Sequence, residues 1–384
     1  MVSAVRQGQS LSKVAAGFGV SRSTVRHWVN RAHSQRLDRV DFSDRPPGRR
    51  EPVNRTARET EDLVLSARRE LKECSALGEF GAEAIHRELW RRRVASIPSV
   101  RTIGRILDRR GALDGRRRTR RPAPPAGWYL PRLAEHCVEL DSFDIVEGLV
   151  IQGGLSVEVL TGVSLHGGLA EAWPRAKITA KTVVSAIVAY WRRFGLPAYA
   201  QFDNDTVFQG PHQHRDVIGR VTRLCLSLDV VPVFAPPRET GFQAAIENFN
   251  GAWQAKVWNR FHFSTRGELT SRSRRFITAH RRRRAARVDG APARRPLLDD
   301  WSLDLQKIID GRIIYLRRTS DTGTASLLGH TFPVDRNWPH RLVRAEVDLK
   351  SHRICFYALR RRDTSYQPML KEIDHEIPRR KFHE

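Results

Sequence analysis

Cysteine is scarce in this chain. Cys74, Cys137, Cys225 and Cys355 are four isolated thiols among 384 residues, and no two of them form a CxxC pair. Neither a zinc knuckle nor a disulfide framework follows from such spacing, and a reducing cytoplasm is the expected compartment. Long apolar runs are also missing. The opening MVSAVRQGQS has no apolar h-region, and no window approaches the ~20 apolar residues of a membrane span, so no membrane partner is expected. A Walker-type glycine-rich phosphate loop is absent as well, which argues against a nucleotide cofactor. Negative charge is in short supply: 42 Asp and Glu stand against 67 Lys and Arg, a formal net charge of +25. Most of these cations are Arg, whose planar fork suits two-point contact with phosphate, so nucleic acid is the expected partner. With 40% hydrophobic and 28% charged residues, the composition is that of a folded protein rather than a disordered tail. At roughly 100 to 200 residues per domain, several units are expected.

Residues 11–31, LSKVAAGFGVSRSTVRHWVNR, place small and apolar residues at Val14, Ala15, Val20, Val25 and Trp28 around Gly17 and Gly19. The pattern predicts helix, tight turn, helix, with Ser21 capping the second helix. It resembles the helix-turn-helix of bacterial DNA-binding proteins, which implies that Arg22, Ser23, Thr24 and Arg26 face DNA. An ordinary αα-hairpin is the alternative. This module is assigned to residues 1–33, with a short first helix over VSAVRQG, and is followed by a basic, Pro-rich linker at 34–58. A second helix-turn-helix module is expected at 59–114. Leu63, Val64, Leu71, Ile85, Leu89, Trp90, Val100, Ile103, Ile106 and Leu107 recur there at helical spacing, and Arg101, Thr102 and Arg105 on the last helix are candidate DNA contacts. A second basic linker occupies 115–131.

From 132 to 264 the pattern alternates between strands and helices. Strands are expected at HCVELDSFDIV, LVIQGG, SVEVLTGVSL, GLAEAWP, AYAQFDND and VVPVFAPP, and helices over 178–194, the HRDVIGRVTRLCLSLD segment and about 242–261. Gly195 and Pro197 should stop the first of these helices. The segment reads as a mixed α/β sheet with helices, followed by a basic helical segment at 265–305 and by short strands at 306–384 that suggest a small C-terminal β-barrel. His212 and His214 have no Cys or His near them in sequence, so a polar loop is expected there rather than zinc.

Three acidic residues stand out in the α/β segment. Asp141 interrupts an otherwise core-like strand, where a carboxylate needs a compensating cation or donor. Asp203 ends a strand, at the carboxyl edge where open α/β sheets carry ligands. Glu247 lies on the long helix among Ile246, Phe249 and Trp253. At this point the chain resembles the DDE integrase and transposase superfamily, in particular bacterial insertion-sequence transposases with an integrase core. The resemblance is carried by Asp141 after a first strand, by FDND with Thr206, Val207 and Phe208, by the preceding RRFGLPAYAQ, and by GFQAAIENFN, and it covers most of the chain.

The resemblance implies an RNase H-like core with a mixed five-stranded sheet, flanked by helix-turn-helix modules that read element ends and by a small β domain. It implies that Asp141, Asp203 and Glu247 hold two Mg²⁺ or Mn²⁺ ions, with which double-stranded DNA is cut at the element end and the freed 3′-hydroxyl joined to target DNA. Asn204, Asn250 and Lys256 are then candidate DNA contacts, synapsis of two ends requires a homo-oligomer, and the protein would work at the nucleoid. Two departures bear on the site. Asp205 replaces the family's glycine, as a turn or supporting residue. Further, 43 residues separate Asp203 from Glu247, whereas 35 separate it from Glu239. Glu239 lies in a Pro-rich loop, which favours Glu247, with the extra length supplied by GPHQHRD. Asp144, on the opposite strand face from Asp141, is the reserve first ligand. A non-catalytic helix-turn-helix regulator or inactivated relic is the competing class, and a structure-specific nuclease a third.

Overall fold

The computed structural model describes residues 1–33, 35–43, 56–113, 125–211, 214–239, 241–361, 363–378 and 382. Most of the first expected linker, the Arg-rich part of the second, and His212 lie outside them. The chain divides into two compact units, Met1–Glu61 and Asp62–Glu384.

The first unit holds α1 (Val2–Arg6), α2 (Leu11–Gly17) and α3 (Arg22–Arg31). Val14, Ala15 and Val25 form its small core, with Val5, Leu11, Val20 and Val29 packed around them. Gly19, at φ 64°, makes the tight turn after α2 in the left-handed region that other residues avoid. The Ser21 hydroxyl accepts from the Thr24 N–H at 3.1 Å, so α3 starts on a serine cap as the sequence predicts.

The larger unit opens within α4 (Arg58–Cys74) and continues through α5 (Ala82–Arg91) and α6 (Val100–Arg109). Val64, Ala67, Ile85, Leu89, Ile103, Ile106 and Leu107 bury against one another between these helices. Trp90 is an exception to the expected inward stripe: Ile85 and Leu89 fill the inward face of α5, and Trp90 is 73% exposed. The chain then forms α7 (Pro131–Ala134), β1 (Leu140–Ile151), β2 (Leu155–Ser164), β3 (Ala170–Arg175), α8 (Ala180–Phe194), β4 (Tyr199–Phe202), α9 (Thr206–Gln209), α10 (Arg220–Ser227) and β5 (Val231–Phe234). After these come α11 (Ala244–Lys256), α12 (Arg266–Arg283), α13 (Ala285–Asp289), β6 (Arg312–Arg318), β7 (Thr324–Leu327), β8 (His330–Pro333), β9 (Leu342–Asp348), β10 (Arg353–Ala358) and β11 (Met369–Asp374).

Among the described residues, nine strands form one mixed sheet in the order β11-β10-β9-β6-β5-β4-β1-β2-β3. HCVELDSFDIV and LVIQGG, expected as two strands, are one. A break in register between Val146 and Leu149, where Gly148 takes φ 73°, bends β1 without ending it. β1 turns into β2 through Gly153 and Gly154, both at positive φ, and β2 pairs antiparallel with β3. β4 lies parallel to β1 on its other side, and β5 parallel to β4.

Among the described residues the C-terminal strands do not form the expected β-barrel. β6 pairs in parallel with β5, Val233 opposite Ile314 and Phe234 opposite Tyr315, and β9, β10 and β11 extend the same sheet. The physical reason is visible in RIIYLRR: Ile313 to Arg317 are all buried, as in a central strand covered on both faces, whereas a strand with one wet face would alternate. β7 and β8 form a separate hairpin. The two faces of the sheet carry different helices. Phe143 packs with Tyr190 and Trp191 of α8 on one side. On the other, Val146, Val157, Val159 and Val163 pack with Ile246, Phe249 and Trp253 of α11 and with Phe276 of α12. Among the described residues no helix is long and apolar enough to cross a membrane.

Candidate active site

Strand alternation decides which carboxylates meet. Asp141 shares a face with Phe143 and points at α8. Its carboxylate is fully buried, and both oxygens are held by Arg294, Nη1 to Oδ1 at 3.0 Å and Nη2 to Oδ2 at 2.5 Å, while the Trp191 indole N–H donates to Oδ2 at 2.9 Å. The cation that a core carboxylate needs is therefore an arginine from the chain itself. Arg294 reaches it because residues 294–295 run beside 195–196, joined by Leu196 N–H to Arg295 O at 2.6 Å and Arg295 N–H to Leu196 O at 3.1 Å. Gly195 makes that approach feasible: at φ 82° its absent Cβ would lie 2.9 Å from the Arg294 Cβ and the Arg295 carbonyl. Asp141, which the resemblance made a metal ligand, thus stands in a buried ion pair in this structure.

Ser142 and Asp144 take the other face, beneath α11. Ser142 is paired in register with Gln201 of β4 and donates to its Oε1 at 3.1 Å. Two residues further along from each of these stand Asp144 and Asp203, just past the paired stretch, near enough for the Asp144 charge to act on Asp203 at the carboxyl end of β4. Asp144 Oδ1 accepts from the Ile145 N–H at 2.9 Å, and Oδ2 from the Asn250 amide at 2.7 Å. Glu247 lies one turn before Asn250 in the first turn of α11, on the same helix face, and is exposed. Asp203 Oδ1 accepts from the Asp205 N–H at 3.0 Å. Asp205 caps α9, its Oδ1 accepting from the Val207 N–H at 2.7 Å, which accounts for a carboxylate where a glycine was expected.

The electrostatics of this cluster are those of an acidic site. Burial first, then the charges of Asp144, Asp205 and Glu147, push Asp203 up to about 6 against the pull of its backbone hydrogen bond. Asp144 is raised by burial and by Glu247 and Glu147, against the hydrogen bonds from Ile145 and Asn250. Carboxylates raised by burial and by neighbouring acids are relieved by a divalent cation, and hard carboxylate oxygens suit Mg²⁺ or Mn²⁺. A pH dependence follows. Between the ordinary aspartate value and about 6, folded Asp203 holds a proton that the unfolded chain has released, so this group's contribution to metal-free stability falls as pH rises through that window. The expected result is a smaller gain in unfolding temperature from Mn²⁺ at pH 5 than at pH 7.5, with the difference shrinking in Asp203→Asn.

Glu239 is elsewhere, paired with Arg318 and, at 3.3 Å, with Arg361. The candidate DNA contacts divide. Arg22, Ser23 and Arg26 on α3 and Arg101 and Arg105 on α6 are exposed, whereas Thr24 and Thr102 are half-buried and bond to the caps Ser21 and Ser99 at 2.8 and 2.9 Å. The other three have internal roles. Asn204 donates to the Ala235 carbonyl at 2.6 Å, tying the ends of β4 and β5. Asn250 is 8% exposed and holds Asp144. Lys256 donates to the Gly78 carbonyl at 2.9 Å over the Phe80 ring, and Arg260 beside it binds the carbonyls of Lys72, Glu73 and Ser75, so this end of α11 anchors the α4–α5 loop. On the same sheet face a cavity of about 1310 Å³ is lined by Ser142, Gln201 and Gln243 and by Lys256, His280, Arg283, Arg284 and Arg287. Burial and the neighbouring arginines push His280 down to about 4, so it is neutral there at pH 7. Sequence reasoning missed Arg294 and the bracing role of Asn250; for the latter, the i, i+3 spacing from Glu247 was the available signal.

No family model matches the chain, and no curated protein matches it. Several solved structures show a loose likeness. A chain of the simian T-cell lymphotropic virus intasome in complex with the PP2A regulatory subunit B56 gamma aligns at 14% identity over 50% of this chain, with a TM-score of 0.30, and this chain covers 63% of that one's length. The catalytic core domain of BIV integrase aligns at 17% identity over 36% of this chain and 81% of its own, with a TM-score of 0.27. The HTLV-2 integrase catalytic core domain in complex with magnesium, in its dimeric form, aligns at 13% identity over 41% and 87%, with a TM-score of 0.26. Likenesses this loose assign no activity, which has to be read from the carboxylates.

Proposed function

We propose that the protein is a metal-dependent polynucleotidyl transferase acting on DNA, a transposase of the bacterial insertion-sequence type, with Asp144, Asp203 and Glu247 as its catalytic carboxylates. One observation carries this reading: Asp144 and Asp203 lie near each other at the carboxyl end of a parallel strand pair, beneath the helix that bears Glu247, and burial, with neighbouring acids, raises the proton affinity of both. These three residues would hold two Mg²⁺ or Mn²⁺ ions, which supply an activated attacking oxygen and a stabilised leaving oxygen in an in-line displacement at phosphorus. Asn250 holds Asp144 through Oδ2, and the Asp205 backbone holds Asp203 through Oδ1, which limits how far either carboxylate can turn. The exposed arginines of α3 and α6, on a chain of net charge +25, support contact with element-end and target DNA. Joining two ends calls for at least two copies of the chain.

The test is a strand-transfer assay on DNA flanking the chain's own coding sequence, with Mn²⁺ or Mg²⁺. Joined products that require the metal and vanish in Glu247→Gln, while end binding is unchanged, are expected. Nicks without joined products would move the protein to a nuclease, and end binding without any cut in either metal would make it a regulator.

A further inference from the structure

A second cluster of metal-ligating side chains lies apart from the acidic site. Asp216 sits in the segment leading to α10, His330 opens β8, and His375 follows β11. His330 Nε2 lies 3.0 Å from Asp216 Oδ2 and His375 Nε2 2.8 Å from Asp216 Oδ1, and one donor atom from each residue falls within 4.8 Å of the other two. Donors on a tetrahedral ion with bonds of about 2.0–2.2 Å stand about 3.3 Å apart, so small adjustments would close these three around one ion.

The arrangement is prepared by the backbone. Asp216 takes φ 58°, uncommon for a residue with a side chain, and its N–H donates to the Leu328 carbonyl at 3.0 Å. Leu328 and Gly329, at φ 53° and 71°, make the tip of the β7–β8 hairpin, and a Cβ on Gly329 would lie 2.9 Å from the backbone of His214 and Arg215, so tip and segment are in close contact. The His375 N–H donates to the His352 carbonyl at 2.8 Å, and the His330 and His375 imidazoles stand steeply tilted to each other at 5.0 Å with Phe332 beside both. The Asp216, His330 and His375 side chains are 10% to 24% exposed, partly dry yet accessible. A cavity of about 280 Å³ borders Asp216 and His375 and leaves room for a water as fourth ligand.

We propose that Asp216, His330 and His375 form a structural site for Zn²⁺ or a similar borderline divalent ion, which clasps the chain after its last strand to the β7–β8 hairpin and to the entrance of α10. Two imidazole nitrogens select such an ion over Mg²⁺, which prefers an all-oxygen shell. The site is independent of the chemistry proposed for Asp144, Asp203 and Glu247.

The experiment uses the full chain, free of any tag, stripped with chelator and titrated with Co²⁺ as a visible probe. One equivalent is expected to give a tetrahedral d–d spectrum that Zn²⁺ abolishes and excess Mg²⁺ leaves intact. Zn²⁺ should raise the unfolding midpoint by roughly 5–10 °C. His330→Gln and His375→Gln keep an amide donor for Asp216 and so preserve the local hydrogen bonding; both should lose the spectrum and the midpoint shift, while Asp203→Asn retains them. A wild type that binds no equivalent of Co²⁺, a spectrum that survives both Gln variants, or one lost only in Asp203→Asn would each overturn the proposal.

Discussion

Asp144→Asn should reduce metal-dependent DNA cleavage and joining by about 10³-fold or more while leaving the fold and DNA binding intact. The substitution keeps the side chain's size and an oxygen, but it removes a negative charge that helps raise the proton affinity of Asp203. A ligand that helps stabilise developing charge in the transition state by several kcal/mol accounts for a loss of this size, since each ~1.4 kcal/mol is tenfold in rate. Folding should not suffer: with one carboxylate fewer, the remaining acids repel less, so the metal-free variant is expected to unfold at the same or a slightly higher temperature. Rates with Mn²⁺ and thermal midpoints without it, on one preparation, check both halves. A variant that cuts as well as the wild type would remove Asp144 from the chemistry.

Asp141→Asn has the opposite signature. Its partner Arg294 is only 10% exposed, and the substitution leaves that guanidinium buried without a countercharge. Breaking a buried pair from one side costs about 3–5 kcal/mol. In a unit of this size the unfolding midpoint should drop by roughly 4 to 7 °C. The double variant Asp141→Asn with Arg294→Gln removes both charges and keeps an acceptor for Trp191 and a donor for the Gly195 carbonyl, so it should recover much of the loss. Thermal unfolding of the two single variants and the double variant forms a cycle whose coupling reads the pair directly. Additive losses would mean that Arg294 and Asp141 do not depend on each other.

These two aspartates also mark how far sequence reasoning reaches. The need for a cation beside Asp141 was legible, because a carboxylate amid Leu140 and Phe143 has to be compensated; that Arg294 supplies it was not, since the partner lies 153 positions away in a segment that reads only as basic. Strand period shows that Asp141 and Asp144 face opposite ways, but choosing between them requires knowing which sheet face α11 covers, and that is a tertiary fact. Glu247 was favoured over Glu239 on local grounds, helix against proline-rich loop, and the structure finds Glu239 among Arg318 and Arg361. Helix ends with serine caps, at Ser21 and Ser99, were readable from residue type and spacing. The C-terminal strands were recognisable as strands, yet their partners were not. Nothing local says that Ile314 pairs with Val233, although the unbroken IIYL run hinted at a strand buried on both faces. Asp216, His330 and His375 are invisible as a group in sequence, because the histidines lie 114 and 159 positions from Asp216.

The measurement that bears most directly on the central claim is Mn²⁺-dependent cleavage of element-end DNA by two variants, Asp144→Asn and the neutral pair Asp141→Asn with Arg294→Gln, each shown to be folded and to bind the DNA. The account predicts that the neutral pair still cuts and that Asp144→Asn does not. Cleavage by Asp144→Asn, together with an inactive, well-folded neutral pair, would contradict it and return the first catalytic carboxylate to Asp141.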